Sequence, residues 1–298
     1  MAIRVRNLTH IYNEGLPDET VALSDVSFDA EDGELLALIG HTGSGKSTLL
    51  QHLNGLLKPN SGNIMIGDDE ITDPKVSKIE IRKKVGLVFQ YPEYQLFEED
   101  VKTDVAFGPK NLGLSEEEVE ERVREAIGLV GLKYDEVKDV SPFDLSGGQK
   151  RRVAVAGVIA MKPEVLILDE PVAGLDPKAH REMIELIKTI HKSVSSIVIL
   201  VSHNMDDVAE LADKVLVMDG GRVVMEGTPA EVFEQSDRLR EIGLGLPEVT
   251  GLMHELKEKG LPVRTGLYSI EEAAAQIVSA VRPAGADQQS GVNGRADG

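Results

Sequence analysis

The chain has 298 residues and a formal net charge of −19, from 51 Asp and Glu against 32 Lys and Arg. This acidity argues against broad nucleic-acid binding, which needs a basic face. The absence of cysteine excludes disulfides and thiolate metal sites, and no apolar run approaches the roughly 20 residues that a membrane helix needs. We therefore expect a globular protein of the cytosol, in which any membrane role depends on a partner.

The first predicted elements are two antiparallel strands, because residues 3–12 and 21–28 alternate apolar and polar side chains. A turn-rich segment, Asn13–Asp18, separates them. Tyr12 ends the first strand. Its ring could stack on an adenine or could simply be a strand aromatic, and its position alone favours the second interpretation.

The next segment, Gly40–Thr48, fits the phosphate-loop spacing Gly-x-x-x-x-Gly-Lys-[Ser/Thr]. The apolar run Leu35–Ile39 predicts a buried strand before it, and Ser47–Leu57 predicts a helix after it, which is the context that the motif requires. A chance glycine-rich turn would lack these flanking elements. The ATP-binding residues that the motif predicts are Gly40, His41, Thr42, Gly43, Ser44, Gly45, Lys46, Ser47 and Thr48.

The chemistry of a bound triphosphate explains these residue types. Phosphate oxygens need many N–H donors nearby, and glycine lets the backbone approach them closely. The N-terminus of the following helix adds partial positive charge. We expect Lys46 to reach the β- and γ-phosphates and the Ser47 hydroxyl to ligate Mg²⁺.

After this helix, Lys58–Gly62 predicts a turn and Ile64 marks another strand. Val85–Phe89 predicts a buried strand that ends at Gln90. Open α/β sheets bind ligands at this end of their strands, so Gln90 is a candidate sensor of Mg²⁺ and of the attacking water, although one glutamine alone carries little information.

Helical signals follow over residues 101–107 and 115–131. Ser115 and Glu118 fit a capping box at the start of the second segment, which also has acidic residues in its first turn. These segments predict a helical insert that splits the nucleotide-binding sheet.

The segment Leu145–Gln149, Leu-Ser-Gly-Gly-Gln, precedes an apolar helix predicted over Val153–Met161. Two glycines at the start of a helix are unfavourable for folding, but they let backbone N–H groups face a phosphate. The alternative is a loop with a serine N-cap, and the place of the segment in the order of motifs favours the phosphate role. Its residues are Leu145, Ser146, Gly147, Gly148 and Gln149.

The apolar strand predicted over Val165–Glu170 ends in two carboxylates. Asp169 suits Mg²⁺, directly or through water, and Glu170 suits a general base that polarises the attacking water. Acids also occur at strand ends merely because the strand meets solvent, so the pair alone has modest weight.

Gly174–Pro177 predicts a turn, with Pro177 at the first position of the next helix. Another buried strand over Ser196–Val201 leads to His203. A lone histidine is usually structural, but this one follows a strand end, as Asp169 does, and a γ-phosphate contact is plausible there.

The rest of the chain predicts a short helix over Asp206–Ala212 and then a hairpin around Asp219–Gly221. From about Gln235 onward, short helices are predicted over residues 237–242, 248–259 and 269–281. The last stretch, Pro283–Gly298, is rich in Gly, Ala, Gln and Asp, which predicts disorder.

The ordered set of motifs resembles the ATP-binding cassette (ABC) ATPases of transporters over about residues 3–234. The resemblance implies an α/β P-loop NTPase fold with a mixed-sheet core, an antiparallel β subdomain and an α-helical signature subdomain. The implied units are a nucleotide-binding domain at 1–235 with its helical subdomain at about 91–162, a C-terminal helical extension at 236–282 and a disordered tail at 283–298.

The same resemblance implies a role for each motif. It also implies that ATP and Mg²⁺ are the cofactors. The catalytic residues are Glu170, His203 and Gln90, the Mg²⁺ ligands are Ser47, Gln90 and Asp169, Asp176 belongs to the D-loop, Tyr12 stacks on adenine, and the signature at Leu145–Gln149 acts on the ATP of a partner. Two subunits would meet head to tail, each placing a nucleotide between its own phosphate loop and the signature loop of the other.

A narrower resemblance is to the ATPases of energy-coupling factor transporters, which take up vitamins or transition-metal ions such as cobalt and nickel. It rests on Gln51–Leu57, Phe89–Phe97, Ala106–Gly113, Ser141–Asp144 and Gly245–Thr250. It implies a second ATPase subunit, related or identical, a transmembrane coupling subunit, a substrate-binding membrane subunit, no nucleic acid, and a place at the cytoplasmic face of the membrane.

Two residues depart from the family pattern, because Asp100 and Val172 stand where threonine is expected. The segment from Gln90 to about Gly113 is the predicted docking surface, where Glu93, Glu98 and Glu99 could receive basic groups of a membrane partner or could form a solvated acidic loop.

Three other interpretations stay open at this point. The chain could serve another ABC transporter or be an ABC ATPase of DNA repair or translation, although it has no coiled-coil heptads and no cysteine. It could be a GTPase or a small-molecule kinase, which the Leu-Ser-Gly-Gly-Gln segment disfavours. A pure binding module is disfavoured by the presence of Glu170.

Overall fold

The structure is a computed structural model that describes residues 1–73, 75–194 and 196–281. The predicted disordered tail at 283–298 lies outside these residues. The strands of the described chain are β1 (Ile3–Tyr12), β2 (Thr20–Ala30), β3 (Leu35–Ile39), β4 (Ser61–Ile66), β5 (Asp69–Glu70), β6 (Val85–Val88), β7 (Val165–Asp169), β8 (Ile197–Val201), β9 (Lys214–Asp219) and β10 (Arg222–Gly227).

The helices of the same residues are α1 (Lys46–Leu53), α2 (Lys78–Lys84), α3 (Val101–Asn111), α4 (Glu116–Leu129), α5 (Tyr134–Val137), α6 (Gly147–Ile159), α7 (Pro177–Ser193), α8 (Met205–Leu211), α9 (Pro229–Glu234), α10 (Ser236–Glu241), α11 (Glu248–Glu258) and α12 (Ile270–Val281). Short 3₁₀ turns lie at Pro92–Gln95 and Pro142–Asp144.

A mixed six-stranded sheet forms the centre, in the order β10-β9-β3-β8-β7-β6. The strands from β9 to β6 are parallel, and only β10 runs antiparallel to its neighbour. All residues of β3 and β8 are buried, as expected for parallel strands that are covered on both faces. The carboxyl ends of β3, β6, β7 and β8 therefore meet at one edge, where the functional motifs begin.

An antiparallel sheet in the order β2-β1-β4-β5 covers one side of α1. The register pairs Ile3 with Ala30 and Tyr12 with Thr20, so β1 and β2 run side by side along nearly their whole length. Buried Leu8, Leu23 and Leu49 belong to the core between this sheet and the mixed sheet. The predicted fold class, with its mixed sheet and separate antiparallel sheet, is confirmed.

A group of helices, α3 to α6, is inserted between the neighbouring strands β6 and β7. Its apolar faces share one core, which includes Val105, Ile127 and Val153. The predicted capping box opens α4: the Ser115 N–H donates to Glu118 Oε2 at 3.0 Å, and the Glu118 N–H donates to Ser115 Oγ at 3.3 Å.

Several predicted boundaries are wrong. Helix α1 ends at Leu53 rather than at residue 57, because Gly55 takes a positive φ of 68° and the Asn54 side chain donates to Val85 O at 2.8 Å. Helix α3 continues to Asn111 through Pro109, and α6 begins at Gly147 rather than at residue 153. The elements β5, α2, α5 and α9 were not predicted.

The C-terminal helices form a small core of their own from Met253, Val263, Leu267 and Ala273. The Thr250 hydroxyl donates to Leu267 O at 2.8 Å inside it. The three helices predicted after residue 235 are present as α10, α11 and α12. Among the described residues, none of the helices combines the length and the apolar character needed to cross a bilayer.

Candidate nucleotide site

The phosphate loop joins β3 to α1 and is shaped by its glycines. A Cβ atom at Gly45, where φ is 102°, would lie 2.7 Å from Ala22 O, and one at Gly40 would lie 2.4 Å from Met218 O. Side chains at these positions would push the loop away from β2 and β9. Glycine therefore lets the loop lie flat against both strands.

The Lys46 ammonium lies inside this loop. It donates to Gly40 O at 2.6 Å and to His41 O at 3.0 Å. Burial lowers the pKa of Lys46, and the nearby carboxylates of Glu170 and Asp169 oppose that shift. The lysine is thus a buried positive charge held by backbone carbonyls next to two acids.

A cavity of about 510 Å³ opens above the loop. It is lined by Tyr12, Thr20, Val21, Ala22, Thr42, Gly43, Gly45, Lys46, Ser47, Thr48, Gln90, Asp169, Glu170 and His203. The structure thus brings together most of the residues that the sequence singled out. Of the predicted phosphate-loop residues, Gly40, His41 and Ser44 are not among its lining.

Tyr12 lies at the rim of this cavity and is 38 % exposed. Its hydroxyl is 3.3 Å from Thr48 Oγ1, which joins the end of β1 to the phosphate loop. Position in the sequence alone favoured an ordinary strand aromatic. The structure instead gives this ring an open face beside the loop that would hold the phosphates.

Glu170 is the centre of a hydrogen-bonded group. Its Oε1 is 2.7 Å from His203 Nε2, and its Oε2 accepts a hydrogen bond of 2.9 Å from Gln90 Nε2. Glu170 has a positive φ of 49°, which is unfavourable for a residue with a side chain. Its N–H bonds to Val201 O at 3.0 Å, so β8 holds the backbone in this conformation.

Asp169 ends β7 and lies between Lys46 and Glu170. Burial and the neighbouring Glu170 raise the pKa of Asp169, whereas Lys46 and His203 lower it. A half-buried carboxylate in this setting favours a nearby cation. The chemistry of the site thus fits the binding of an anion at Lys46 and a cation at Asp169.

The segment Leu145–Gln149 does not line this cavity. Ser146 is the N-cap of α6, and its hydroxyl accepts a hydrogen bond of 3.4 Å from the Gln149 N–H. A Cβ atom at Gly147 or Gly148 would meet nothing within 4 Å. The segment therefore combines the serine cap and the open glycine pair, with its helix N-terminus facing outward.

Asp176 is the N-cap of α7 and accepts hydrogen bonds from the N–H groups of Lys178 and Ala179, at 2.9 and 3.0 Å. These backbone hydrogen bonds lower its pKa. One turn later His180 contacts the buried Asp207 of α8, with Nε2 and Oδ1 2.7 Å apart. The turn before α7 is thereby tied to the segment that carries His203.

The chain is similar to proteins of a known family. The family model described as ABC transporter matches residues 23–173. The chain belongs to the ABC transporter family. A related protein from Clostridium tetani, the energy-coupling factor transporter ATP-binding protein EcfA2, is 57 % identical to this chain. The match covers 93 % of this chain and 96 % of the related protein. The narrower resemblance to the ATPases of energy-coupling factor transporters is therefore confirmed.

Solved structures of ABC ATPases have the same fold. The structure of cbiO1 from Clostridium perfringens, described as part of the ABC transporter complex cbiONQ, has a TM-score of 0.71 and 40 % identity and covers 85 % of this chain and 98 % of its own. A dimeric ABC cassette in a post-hydrolysis state, bound to ADP and Pi, has a TM-score of 0.66 and 27 % identity and covers 76 % of this chain and 98 % of its own. This ABC protein is accordingly an ATP-hydrolysing transport ATPase.

Reasoning from sequence missed a buried arginine in this ABC ATPase. Arg151 of α6 donates through Nε and Nη2 to the two carboxylate oxygens of Glu93, each at 3.0 Å, and through Nη1 to Ala173 O at 2.9 Å. Although burial opposes ionisation, these hydrogen bonds keep the pKa of Glu93 below its usual range. Arg151 thus connects the helix after the signature segment with the segments that follow Gln90 and Glu170.

A second missed contact holds the phosphate loop. His41 Nδ1 donates to Thr42 O at 2.7 Å, and Nε2 is 2.8 Å from Asp219 Oδ1 at the end of β9. The hydrogen bond to Asp219 raises the pKa of His41. The sequence offered no signal for this pair, because its members are separated by 178 positions.

Asp100, one of the two departures from the family pattern, is explained by the structure. It is the N-cap of α3 and accepts hydrogen bonds from the Thr103 N–H at 2.7 Å and the Thr103 hydroxyl at 3.0 Å. Aspartate is as good an N-cap as threonine. The substitution therefore preserves the start of the helix.

Proposed function

We propose that this chain is one ATPase subunit of an energy-coupling factor importer for vitamins or for transition-metal ions such as cobalt and nickel. It would work at the cytoplasmic face of the cell membrane, with a second, related or identical ATPase, a transmembrane coupling subunit and a substrate-binding membrane subunit. Residues 1–235, with a helical subdomain at about 91–162, would bind and hydrolyse ATP, and residues 236–282 would form a C-terminal extension.

The observation that carries this proposal is that the two halves of the catalytic machinery lie apart in one chain. The cavity is lined by the phosphate loop, Gln90 and Glu170, but by none of the residues 145–149. The start of α6 instead faces outward, with open space beside Gly147 and Gly148. A second ATPase placed head to tail would bring its own signature segment over this cavity and complete the phosphate site.

Nucleotide binding would then favour the closed pair. The signature N–H groups and the Ser146 hydroxyl can contact the γ-phosphate only when two subunits meet, so ATP binds the closed state more tightly than the open one. A ligand shifts a conformational equilibrium by this difference in affinity. Closure on ATP and opening after hydrolysis would drive the membrane subunits.

In the closed state, Glu170 would orient the attacking water, since its carboxylate is held from both sides by Gln90 and His203. Lys46 would take up charge on the β- and γ-phosphates, and His203 would contact the γ-phosphate. The oxygen donors of Ser47, Gln90 and Asp169 line one cavity and fit Mg²⁺, which usually binds proteins through one or two carboxylates together with substrate phosphates. Bound Mg²⁺ would neutralise phosphate charge.

A groove of about 740 Å³ between the sheet and the helical insert is the proposed docking site for the coupling subunit. Its lining includes Phe89, Phe97 and Phe107, which are 39, 56 and 48 % exposed. The rings of Phe97 and Phe107 meet edge to face at 4.9 Å. Exposed aromatic side chains in a concave groove favour an apolar helix of a partner.

This groove is linked directly to the catalytic centre. Phe89 lines the groove, and the next residue, Gln90, bonds to Glu170. The buried carboxylate of Asp104 fixes the other wall of the groove, because it accepts hydrogen bonds from the N–H groups of Phe97 and Glu98 at 2.9 and 3.0 Å. A partner that moved Phe89 in the groove would therefore also shift Gln90, and through Gln90 the carboxylate of Glu170.

The acidic side chains near the groove do not all face a partner. Glu93 instead forms an ion pair with Arg151 of the same chain. We therefore no longer propose that Glu93 receives a basic group of the membrane partner. Glu98 and Glu99 keep that proposed role.

Reconstitution tests the proposal. The chain is assembled with its candidate ATPase and membrane subunits in proteoliposomes, and ATP-dependent uptake of labelled cobalt, nickel and individual vitamins is measured. We expect uptake of one of these classes, and none when Glu170→Gln replaces the wild-type chain. ATP-dependent transport of other solutes only would instead assign the chain to a different ABC transporter.

A matched pair of variants tests the docking groove. Phe107→Asp places a charge in the groove and should abolish both co-purification with the coupling subunit and uptake. Leu16→Asp places the same charge at a side chain of similar exposure, 58 %, in the loop between β1 and β2, and should leave both intact. Equal behaviour of the two variants would remove the groove from the docking role.

A further inference from the structure

Two histidines lie directly behind the tyrosine at the rim of the nucleotide cavity. His10 of β1 and His52 of α1 are 8 and 2 % exposed. They are separated by 42 positions, and His52 Nε2 lies 3.2 Å from His10 Nδ1. The sequence predicted no role for either residue, and neither of them lines the nucleotide cavity.

The contacts of the pair determine which atoms carry protons. Thr48 O lies 2.7 Å from His52 Nδ1, and a carbonyl oxygen can only accept, so Nδ1 donates. Burial lowers the pKa of His52, which favours the neutral ring. In that ring Nε2 is unprotonated and accepts a hydrogen bond from His10 Nδ1. The hydrogen bonds therefore run in one direction, from His10 to His52 to Thr48.

Four residues contact one another in a circle at the end of the phosphate loop: His10, Tyr12, Thr48 and His52. The ring of His10 meets the ring of Tyr12 edge to face, with centroids 4.5 Å apart and planes 79° apart. The Tyr12 hydroxyl approaches Thr48 Oγ1 at 3.3 Å, and the Thr48 carbonyl receives the His52 hydrogen bond. Tyr12 is thus supported on one side by His10 and on the other by the phosphate loop.

We infer that His10 and His52 are positioning residues for the purine base of the nucleotide, which act by holding the Tyr12 ring against the phosphate loop. This inference rests on the proposed role of Tyr12 as the adenine-stacking residue. Tyr12 is 38 % exposed and its ring packs on the His10 ring, so loss of the His10 ring removes a contact that keeps Tyr12 from turning away from the base. The phosphates, which contact the loop itself, are outside this influence.

The influences on the pKa of His52 come from burial, from His10 and from backbone groups. The electrostatic effect of a neighbouring residue on His52 comes from His10, and Thr48 and Lys58 act on it through backbone groups. The remaining titratable group of the circle is the Tyr12 hydroxyl. The pair is therefore a buried support that does not line the cavity, rather than a direct contact to the phosphates.

The test compares a ligand that has the base with one that lacks it. The affinity of the full chain for Mg-ATP and for Mg²⁺ with inorganic tripolyphosphate is measured by isothermal titration calorimetry. His10→Asn removes the ring but keeps a side-chain N–H donor near His52. We expect a roughly three- to tenfold weaker affinity for ATP, the range of an aromatic pair contact, and an unchanged affinity for tripolyphosphate.

Further variants make the outcome specific. Tyr12→Ala should show the same ATP-selective loss, and adding His10→Asn to it should change nothing more, because the two residues act as one unit. His52→Leu should show a smaller loss of the same kind. His191→Asn, which alters a histidine at the far end of α7, should bind both ligands as the wild type does.

Three results overturn the inference. An unchanged ATP affinity in His10→Asn, together with a clear loss in Tyr12→Ala, removes the histidines from base binding and leaves the stacking role of Tyr12 intact. No loss in Tyr12→Ala removes the stacking role itself and the inference with it. An equal loss of ATP and tripolyphosphate affinity in a folded His10→Asn chain, judged by thermal unfolding, assigns the pair to the phosphate loop instead.

Discussion

At the scale of single residues, Glu170 is the proposed general base. Its carboxylate is bound from one side by Gln90 and from the other by His203, and its backbone is held at a positive φ by β8. Such strain is maintained where the surrounding structure fixes a side chain in place. The carboxylate is therefore held in place at the cavity, as its proposed role of orienting the attacking water requires.

We predict that Glu170→Gln lowers the rate of ATP hydrolysis by about 10²- to 10⁴-fold, the usual contribution of a general base, and leaves ATP affinity within about twofold. The amide has the shape of the carboxylate but cannot accept the proton. Phosphate release and nucleotide binding are measured on the same preparation. Glu185→Gln on the exposed face of α7 is the matched control, and turnover in Glu170→Gln equal to that control would remove Glu170 from its role.

The buried His52 links stability to pH. Because burial lowers its pKa below the ordinary value of 6.5, the unfolded chain binds more protons than the folded chain in the window below that value. Stability from this residue is thus full above pH 6.5 and decreases as the pH falls towards the folded pKa. His41 acts in the opposite direction, since its pKa is raised: its contribution is full at low pH and is lost as the pH rises through the folded pKa.

The difference between two chains isolates the effect of His52. We expect the free energy of unfolding of the wild type to fall more steeply from pH 7 to pH 5 than that of His52→Gln. The reason is that only in the wild type does the unfolded chain bind a proton at this position that the folded chain excludes. Urea unfolding at each pH measures it. Parallel curves for the two chains would contradict the prediction.

At the scale of elements, Arg151 holds three segments together. It is 3 % exposed, forms two hydrogen bonds with Glu93, and also donates to backbone carbonyls of Pro171 and Ala173. The signature helix α6, the segment after Gln90 and the segment after Glu170 therefore share one buried cation. A shift of the segment after Gln90 would therefore displace the start of α6, where the nucleotide of a second ATPase is proposed to bind.

We predict that Arg151→Met lowers the free energy of unfolding by about 3 kcal/mol, because it leaves a half-buried carboxylate and two carbonyls without their donor. Chemical denaturation measures this change. Arg151→Met combined with Glu93→Leu should recover part of the loss, since both charges are then removed. Lys188→Met, which breaks surface ion pairs with Glu185 and Glu210, should change stability by at most about 1 kcal/mol. An effect of Arg151→Met no larger than that of this control would contradict the prediction.

The elements also show how far a sequence can be interpreted. Strands β1, β3, β7 and β8 were predicted nearly to the residue, because apolar alternation or a short apolar run is a local signal. The ends of α1 and α3 were not, since they depend on contacts with distant parts of the chain. Helix α3 passes through Pro109 where it packs closely on α6 and the turn after it: a Cβ atom at Gly108 would lie 2.7 Å from Met161 Cγ and 3.4 Å from Gly157 O.

The same distinction applies to the site. The phosphate loop, Asp169 and Glu170 were found from motifs, because each is a short pattern with a mechanistic meaning. The pairs Arg151–Glu93 and His10–His52 were not found, since their members are 58 and 42 positions apart and neither residue type announces its partner. The order of the motifs was enough to predict the chemistry. The residues that hold the proposed catalytic groups in place could be identified only from the structure.

At the scale of the whole molecule, the nucleotide cavity and the signature segment lie on different surfaces of one chain. One edge of the mixed sheet carries the phosphate loop, Gln90, Asp169 and Glu170, and the signature segment opens on another surface of the helical insert. The apolar groove lies between these regions and contacts both through Phe89 and α6. This arrangement supports the proposal that nucleotide binding, pairing of two ATPases and docking to the membrane subunits are coupled.

The most direct test of this account is the rate of ATP hydrolysis per chain as a function of the total concentration of ATPase subunits at saturating Mg-ATP. We predict that the specific rate rises with concentration and reaches a plateau as pairs form, and that Ser146→Arg abolishes the rise without weakening ATP binding. A full specific rate that stays constant down to concentrations at which the chain is monomeric would contradict a catalytic site shared between two molecules.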